Sequence, residues 1–313
     1  MAGYIWEFFG HRATDGSEES LEAVASHACP FIEEKCEKTL SDGQVAGACS
    51  IAPMRSKAVI CCPIRLYADD YRILKDVALD AFGRDHPLVA GPQAVGEARA
   101  AGEHRVAVFG KRWGGELRVP KKDGQGSFWV DWILALIDEQ GRLIEFVAVE
   151  VQSIDTTGNY RNGREALLGG QRELVKTTAG LNWENVNKRI LPQLIYKGQL
   201  LQREPFCKKG LYFICPQQVY NEIVKRVGGV EALPEYRNLQ PASISFFAYD
   251  HDLEAEAPDG TTVPLKQTTR RSTTIEMLTR AFNTVTLTEE NVYRDAILGG
   301  LGLDWSKPEQ YVV

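Results

Sequence analysis

Two apolar segments joined by a short polar turn constrain this chain more than any other feature. Residues 128–137 read FWVDWILALI and residues 143–152 read LIEFVAVEVQ, with Asp138-Glu-Gln-Gly-Arg142 between them. Short runs rich in β-branched and aromatic residues and bounded by a turn signal read as strands. Apolar on both faces, they belong in the middle of a sheet covered on two sides. A two-residue turn at Gln140-Gly141 pairs residues whose numbers sum to 281, which sets Asp131 opposite Glu150. The strand period of two then puts Gln152 on the same face as Glu150. Three polar groups converge inside an apolar sheet.

Elsewhere the pattern alternates between helix and strand. Ile73, Leu74, Val77 and Ala81 recur at helical spacing over Tyr71–Ala81, with Gly83 as a stop. Further helices are expected over Ala94–Ala101, Arg164–Lys176, Asn185–Leu201 (with Pro192 as a kink or boundary), Gln218–Val227 and Thr274–Asn283. Arg105–Phe109, Gly210–Val219 and Ala242–Tyr249 read as strands, and the tail beyond the last helix reads as weakly structured. This order predicts an α/β fold, a mixed central sheet flanked by helices. The composition shifts near residue 65, which divides the chain into a cysteine-rich domain over residues 1–68 and a larger domain over residues 69–313. With 313 residues, no metal is needed merely to hold the whole chain folded.

Composition narrows the compartment and the chemistry. No apolar run approaches the roughly 18 residues of a membrane span, and the opening MAGYIWEFFGHR lacks a basic flank before an apolar stretch. A reducing cytoplasm is expected, where clustered cysteines favour metal ligation over disulfides. Thirty-six Lys and Arg against 42 Asp and Glu give a net charge of −6, which argues against coating nucleic acid without specificity but allows a basic cleft. Neither a phosphate-cradling P-loop nor a GxGxxG fingerprint occurs, so no nucleotide cofactor is expected.

Two carboxylates facing each other across buried strands repel, and the arrangement is costly without a counter-charge. An Arg partner would supply one. So would Mg²⁺, which takes hard oxygen ligands and serves phosphodiester hydrolysis. Cys29, Cys36, Cys49 and Cys62 are separated by 6, 12 and 12 residues, with Cys61 beside the last. That spacing is compatible with one tetrahedral Zn or Fe site and equally with buried thiols acting as small hydrophobes. Cys207 and Cys215 read as core residues. Cations flank the hairpin at Lys111, Arg112, Arg118, Lys121, Lys122, Arg161 and Arg164, and Lys188, Arg189, Gln193 and Lys197 follow at helical spacing.

The spacing D-x18-E-x-Q resembles the core of the PD-(D/E)xK nuclease superfamily, with Gln152 where that superfamily usually has Lys. A wider, colinear set of segments resembles the NotI family of type II restriction endonucleases. The segments are Glu7-Phe-Phe-Gly-His-Arg12, Cys29-Pro-Phe31, Cys62-Pro63, Gly114-Gly-Glu-Leu117, the Asp131 strand, Glu150-Val-Gln152, Asp155-Thr-Thr-Gly-Asn-Tyr160, Asn185-Val-Asn-Lys-Arg189 with Gln193, Tyr196-Lys197 and Ile214-Cys-Pro-Gln217. The match spans residues 7 to about 220. The resemblance implies a homodimeric bacterial enzyme that uses Mg²⁺ to cut both strands of a GC-rich, GGCC-centred palindrome in double-stranded DNA. It implies Asp131 and Glu150 as catalytic Mg²⁺ ligands, Gln152 as an orienting group and Glu116 as a further acidic site residue. It implies an iron site, or the chemically similar zinc site, on Cys29, Cys36, Cys49 and Cys62, with Cys61 outside it. Lys121, Lys122, Arg161, Arg164, Lys188, Arg189 and Gln193 are the residues expected on DNA. Two other readings stay open: a metal-ribbon DNA-binding protein with an inactive nuclease fold, and a structure-selective repair or junction nuclease.

Overall fold

A computed structural model describes residues 3–54, 56–117, 119–120, 127–284 and 291–303. Arg118, Lys121 and Lys122 lie outside the described residues. The amino-terminal segment forms a four-stranded sheet from β1 (Gly3–Phe8), β2 (His11–Arg12), β3 (Ala48–Pro53) and β4 (Val59–Ile60), in the order β2-β1-β3-β4. Helix α1 (Glu18–Ser26) interrupts it; Ser17 caps its start by accepting from the Ser20 N–H at 3.2 Å, and Glu18 and Glu19 complement its dipole. Neither the sheet nor α1 was expected, because two-residue strands and the register shifts around Glu7 erase the alternation that marks a strand.

Helix α2 (Ala68–Phe82) follows, ending at Gly83 in the left-handed region, and its stripe Ile73, Leu74, Val77 and Ala81 is buried as the periodicity predicts. Burial of Ile73, Leu74 and Val77 contributes about 1.5–3 kcal/mol each. Then come β5 (Leu88–Ala90), α3 (Gly91–Ala101), β6 (Arg105–Gly110), β7 (Trp132–Ile137), β8 (Leu143–Val151), α4 (Arg161–Leu168), α5 (Leu191–Leu201), β9 (Leu211–Pro216), α6 (Gln217–Arg226), β10 (Ser243–His251), β11 (Leu265–Thr274), α7 (Ile275–Thr284) and α8 (Val292–Gly300). Seven strands make one mixed sheet in the order β11-β10-β9-β8-β7-β6-β5, with β8, β9 and β10 mutually parallel and the β7–β8 hairpin near its middle.

Helices cover both faces of this sheet. Val147, Val149 and Val151 point into the core shared with α2, while Ala148 points into the core shared with α5, α6 and α7. Cys29, Phe31, Cys49, Ile60 and Leu66 join the α2 core, so the amino-terminal segment shares one apolar core with the main sheet. Its buried seam is ionic: Glu7 and Arg65 have no exposed surface, and His251 of β10 stands 2.9 Å from Glu7.

Several expectations need correction. The hairpin turn has three residues, not two: Asp138 pairs with Arg142, and Gly141 takes φ 79°. A register shift between Leu136 and Ile137 absorbs the odd residue, so Trp132 pairs with Val149 and the sum 281 is restored. The helix expected to Lys176 stops at Leu168, before Gly169-Gly170. The stretch 185–201 is a single π-helical turn over Val186–Ile190 followed by α5, with Pro192 in the first turn of α5. Edge strand β11 and helix α8 were both missed.

Candidate active site

Asp131 sits immediately before β7 and Glu150 one residue before the end of β8, so the 281 register carries them toward each other at one end of the hairpin. The Oδ2 of Asp131 accepts the Val151 backbone N–H at 2.8 Å. Glu150 is buried; its Oε1 accepts from Nζ of Lys197, and its Oε2 has no hydrogen-bond partner among the described residues. Burial and the neighbouring Asp131 charge push the Glu150 carboxyl up to about 7, against the pull of Lys197. Asp131 keeps an exposed edge, yet the protein around its carboxyl and the charge of Glu116 raise its pKa, opposed by the Val151 N–H and Lys197.

Glu116, whose charge acts on Asp131, follows a turn at Gly114 and Gly115, both in the left-handed region. At Gly114 a Cβ would lie 1.8 Å from the Val108 carbonyl oxygen, so only glycine fits. Glu116 itself is exposed. Gln152 continues the Glu150 face half-buried, its Nε2 donating to the Ser153 carbonyl at 3.3 Å. Behind them, Trp132 is buried against Tyr67 and Tyr71, its Nε1 donating to the Tyr67 hydroxyl at 3.3 Å. The structure therefore brings Asp131 and Glu150 to one end of the hairpin, with the charge of Glu116 felt at Asp131. It adds Lys197, read from the sequence only as a cation near DNA. The signal for it was available: Lys197 interrupts the buried stripe Ile190, Leu194, Leu201, where a lysine has no solvation reason to be.

All seven cysteines are free thiols. Among the described residues, no group of three or more His, Cys, Asp or Glu side chains stands in metal-ligating geometry. Charge interactions link Cys29 with Cys36 and Cys62, Cys62 with Cys36, and Cys49 with Cys29 and Cys62. Burial, reinforced by Cys62 and Cys36, pushes the Cys29 thiol up to about 12. Burial, reinforced by Cys61 and Cys36, pushes Cys62 up to about 11, and Cys49 rises through burial, Cys62, Glu7 and Cys29. Cys61 is turned elsewhere, toward the Cys49 carbonyl at 3.5 Å, with Lys38 Nζ 3.4 Å from its sulfur. Cys207 and Cys215 are fully buried in the core.

The cations expected on DNA divide into two groups. Arg164 is buried, its Nε donating to the Val45 carbonyl at 2.7 Å and its Nη1 to Gln44 at 3.1 Å, which ties α4 to the cysteine segment. Arg161 is paired with Asp42. Lys188, Arg189 and Gln193 are exposed along the stretch leading into α5, with Arg189 3.0 Å from Asp155. Lys111 and Arg112 pair with Glu37, and Arg112 also with Glu34. No helix among the described residues is long and apolar enough to cross a membrane.

Compared with known proteins, the chain matches the family model described as restriction endonuclease NotI over residues 21–259. No curated protein matches it.

Proposed function

This chain belongs to the NotI restriction endonuclease family, and on that premise we propose that it hydrolyses phosphodiester bonds with Mg²⁺ held by Asp131 and Glu150. As a member it is a type II restriction endodeoxyribonuclease, a hydrolase whose substrate is double-stranded DNA. The proposal covers the rest: the metal, the site residues, cleavage of both strands, a GC-rich palindrome centred on GGCC, and a homodimer whose twofold axis matches it.

The observation that carries the site is the pair of converging carboxyls with one buried oxygen, Glu150 Oε2, left without a donor. Anionic oxygen ligands with an unsatisfied position suit a hard divalent cation. When bound, such an ion supplies neutralisation of the phosphodiester charge and a more acidic attacking water. The chain's own groups do the remainder. The Val151 N–H fixes one Asp131 oxygen and leaves the other available. Gln152 has no titratable group near neutrality, so it orients water or a phosphate oxygen and does not move a proton. Glu116 adds negative charge at the exposed rim of the pair. Lys188, Arg189 and Gln193, with Lys121 and Lys122, neutralise or read the duplex, while Arg161 and Arg164 hold the neighbouring loop in place.

Residues 1–68 would form a small metal domain and residues 69–313 the nuclease domain. The proposed donor set for a structural iron or zinc ion is Cys29, Cys36, Cys49 and Cys62, mostly buried thiols of which Cys29, Cys49 and Cys62 are pushed up by burial and by neighbouring sulfurs and would need a cation before they ionise. Four protein ligands leave no open position, so the role is to hold the segment folded. Metal analysis of the purified protein should give one iron or zinc per chain, distinguished by colour, and Cys29→Ser should lose it. Unchanged metal content in that variant would remove the four-cysteine site.

The activity is tested with plasmid duplex, single-stranded DNA and a four-way junction, each with Mg²⁺ and with chelator. Discrete duplex fragments that require Mg²⁺ are expected. A preference for the junction would instead favour a structure-selective nuclease.

A further inference from the structure

Resting on the nuclease reading of the Asp131–Glu150 pair, we infer that Lys197 is a catalytic residue of the same centre, whose ammonium meets the charge of the phosphodiester where neutral Gln152 cannot. Lys197 lies 47 residues after Glu150, outside the strand motif, and α5 delivers it to the carboxylates across the sheet face. Among the described residues, it makes the only ion pair that reaches either carboxylate.

Three features separate this from an incidental surface pair. The side chain is 18 % exposed and lies in the apolar stripe of α5, where a lysine costs stability unless its charge is used. Its Nζ donates to only one oxygen, Glu150 Oε1, leaving two further N–H donors on the ammonium and Oε2 on the carboxylate. A 470 Å³ cavity opens beside it, lined mainly by apolar side chains such as Val130, Ile133 and Phe146. Asp131 and Glu150 do not line that cavity; its apolar walls lie on the other side of Lys197 and leave the ammonium with few polar neighbours besides Glu150 among the described residues, so a phosphodiester oxygen brought to the carboxylate side meets a poorly satisfied positive charge. A lysine serving only as counter-ion to Glu150 would have the same contact but no effect on the phosphate.

Single-turnover cleavage at saturating Mg²⁺ distinguishes the two roles. Lys197→Met should lower the rate by about 10²–10³-fold, with affinity for uncut DNA in Ca²⁺ within about threefold of the unmodified protein. A neutral methylphosphonate at the scissile position should weaken Ca²⁺-supported binding to the unmodified protein more than binding to Lys197→Met, which keeps the cation's share of the effect and lacks the lysine's; equal weakening in both would count against a lysine contact with that phosphate. Lys197→Ala should recover activity with propylammonium but not with n-propanol, since only the former restores charge. Lys197→Arg, which keeps the charge on a longer, planar head, serves if the neutral variants fail to fold: it should still cut in Mg²⁺, and a folded Lys197→Arg that binds DNA in Ca²⁺ without cutting would overturn the role of the charge. Cleavage by Lys197→Met near the unmodified rate, or equal rescue by n-propanol, would overturn the role of the lysine while leaving the carboxylate site intact. No cleavage by the unmodified protein, or undiminished cleavage by Asp131→Asn, would instead remove the site reading and the lysine with it.

Discussion

Glu150→Gln should lower the single-turnover rate of strand cleavage by at least about 10³-fold, equivalent to roughly 4 kcal/mol of transition-state stabilisation. The substitution keeps the shape of the side chain and an oxygen able to accept from Lys197, so the sheet and the α5 contact persist. What it removes is one of two negative charges at the end of the hairpin. A neutral amide cannot replace a carboxylate as a hard-cation ligand, and Lys197 loses its counter-charge. Binding to uncut DNA in Ca²⁺ should change far less, because phosphate contacts on other elements supply most of the affinity. A variant that cuts within about tenfold of the unmodified protein would show that Glu150 is a structural acid.

The second large effect is on stability and arises far from the carboxylates. Arg65→Met should destabilise the fold by about 3–5 kcal/mol in urea denaturation, because it leaves a buried carboxylate without its main partner. Arg65 meets Glu7 through Nε at 3.0 Å and Nη2 at 2.9 Å, and also donates to the Val263 carbonyl. Ser50 and His251 complete the shell around Glu7. Burial alone would raise the Glu7 carboxyl, yet Arg65 and His251 hold it down at about 2. Its contribution, about 3 kcal/mol by the size of that depression, is complete above pH 4.5 and lost as pH falls toward 2. His251 runs the other way. Burial disfavours its charged form, but Glu7 and Asp250 raise its pKa overall, so its contribution is present below pH 6.5 and fades as pH climbs through the raised value. In Arg65→Met the acid loss should shrink, since Glu7 then ionises less readily. A destabilisation below about 1 kcal/mol would mean that the seam is held by its apolar neighbours alone.

What the sequence disclosed follows from how local each feature is. The Asp131–Glu150 register was legible because the alternation of two apolar strands fixes which faces meet, even though the turn was misjudged. The extra loop residue and the shift at Leu136 cancel. Helix α2 was legible through Ile73, Leu74, Val77 and Ala81, whereas β11 was not: LKQTTRRSTT is an edge strand whose polar residues carry no apolar alternation. Glu7, Arg65 and His251 come together across separations of 58 and 244 residues, and no local pattern encodes such a contact. Lys197 lies between these cases. Its place in the apolar stripe of α5 marked it as unusual, but only the sheet packing shows that Glu150 is its partner. The cysteines could not be sorted by spacing; the structure adds that the Cys61 thiol meets Lys38 and the Cys49 carbonyl while its charge also acts on Cys62.

The central claim, that the Asp131–Glu150 pair hydrolyses DNA at a defined site, is tested most directly by mapping cleavage ends on both strands of sequenced DNA. The unmodified protein and Asp131→Asn are run side by side in Mg²⁺, with binding to the same DNA measured in Ca²⁺. The account predicts one fixed cut position on each strand of a palindromic sequence for the unmodified protein, no ends for Asp131→Asn, and retained binding by both. Ends produced by Asp131→Asn at the unmodified rate, or specific binding by the unmodified protein without cleavage under any divalent metal, would contradict it.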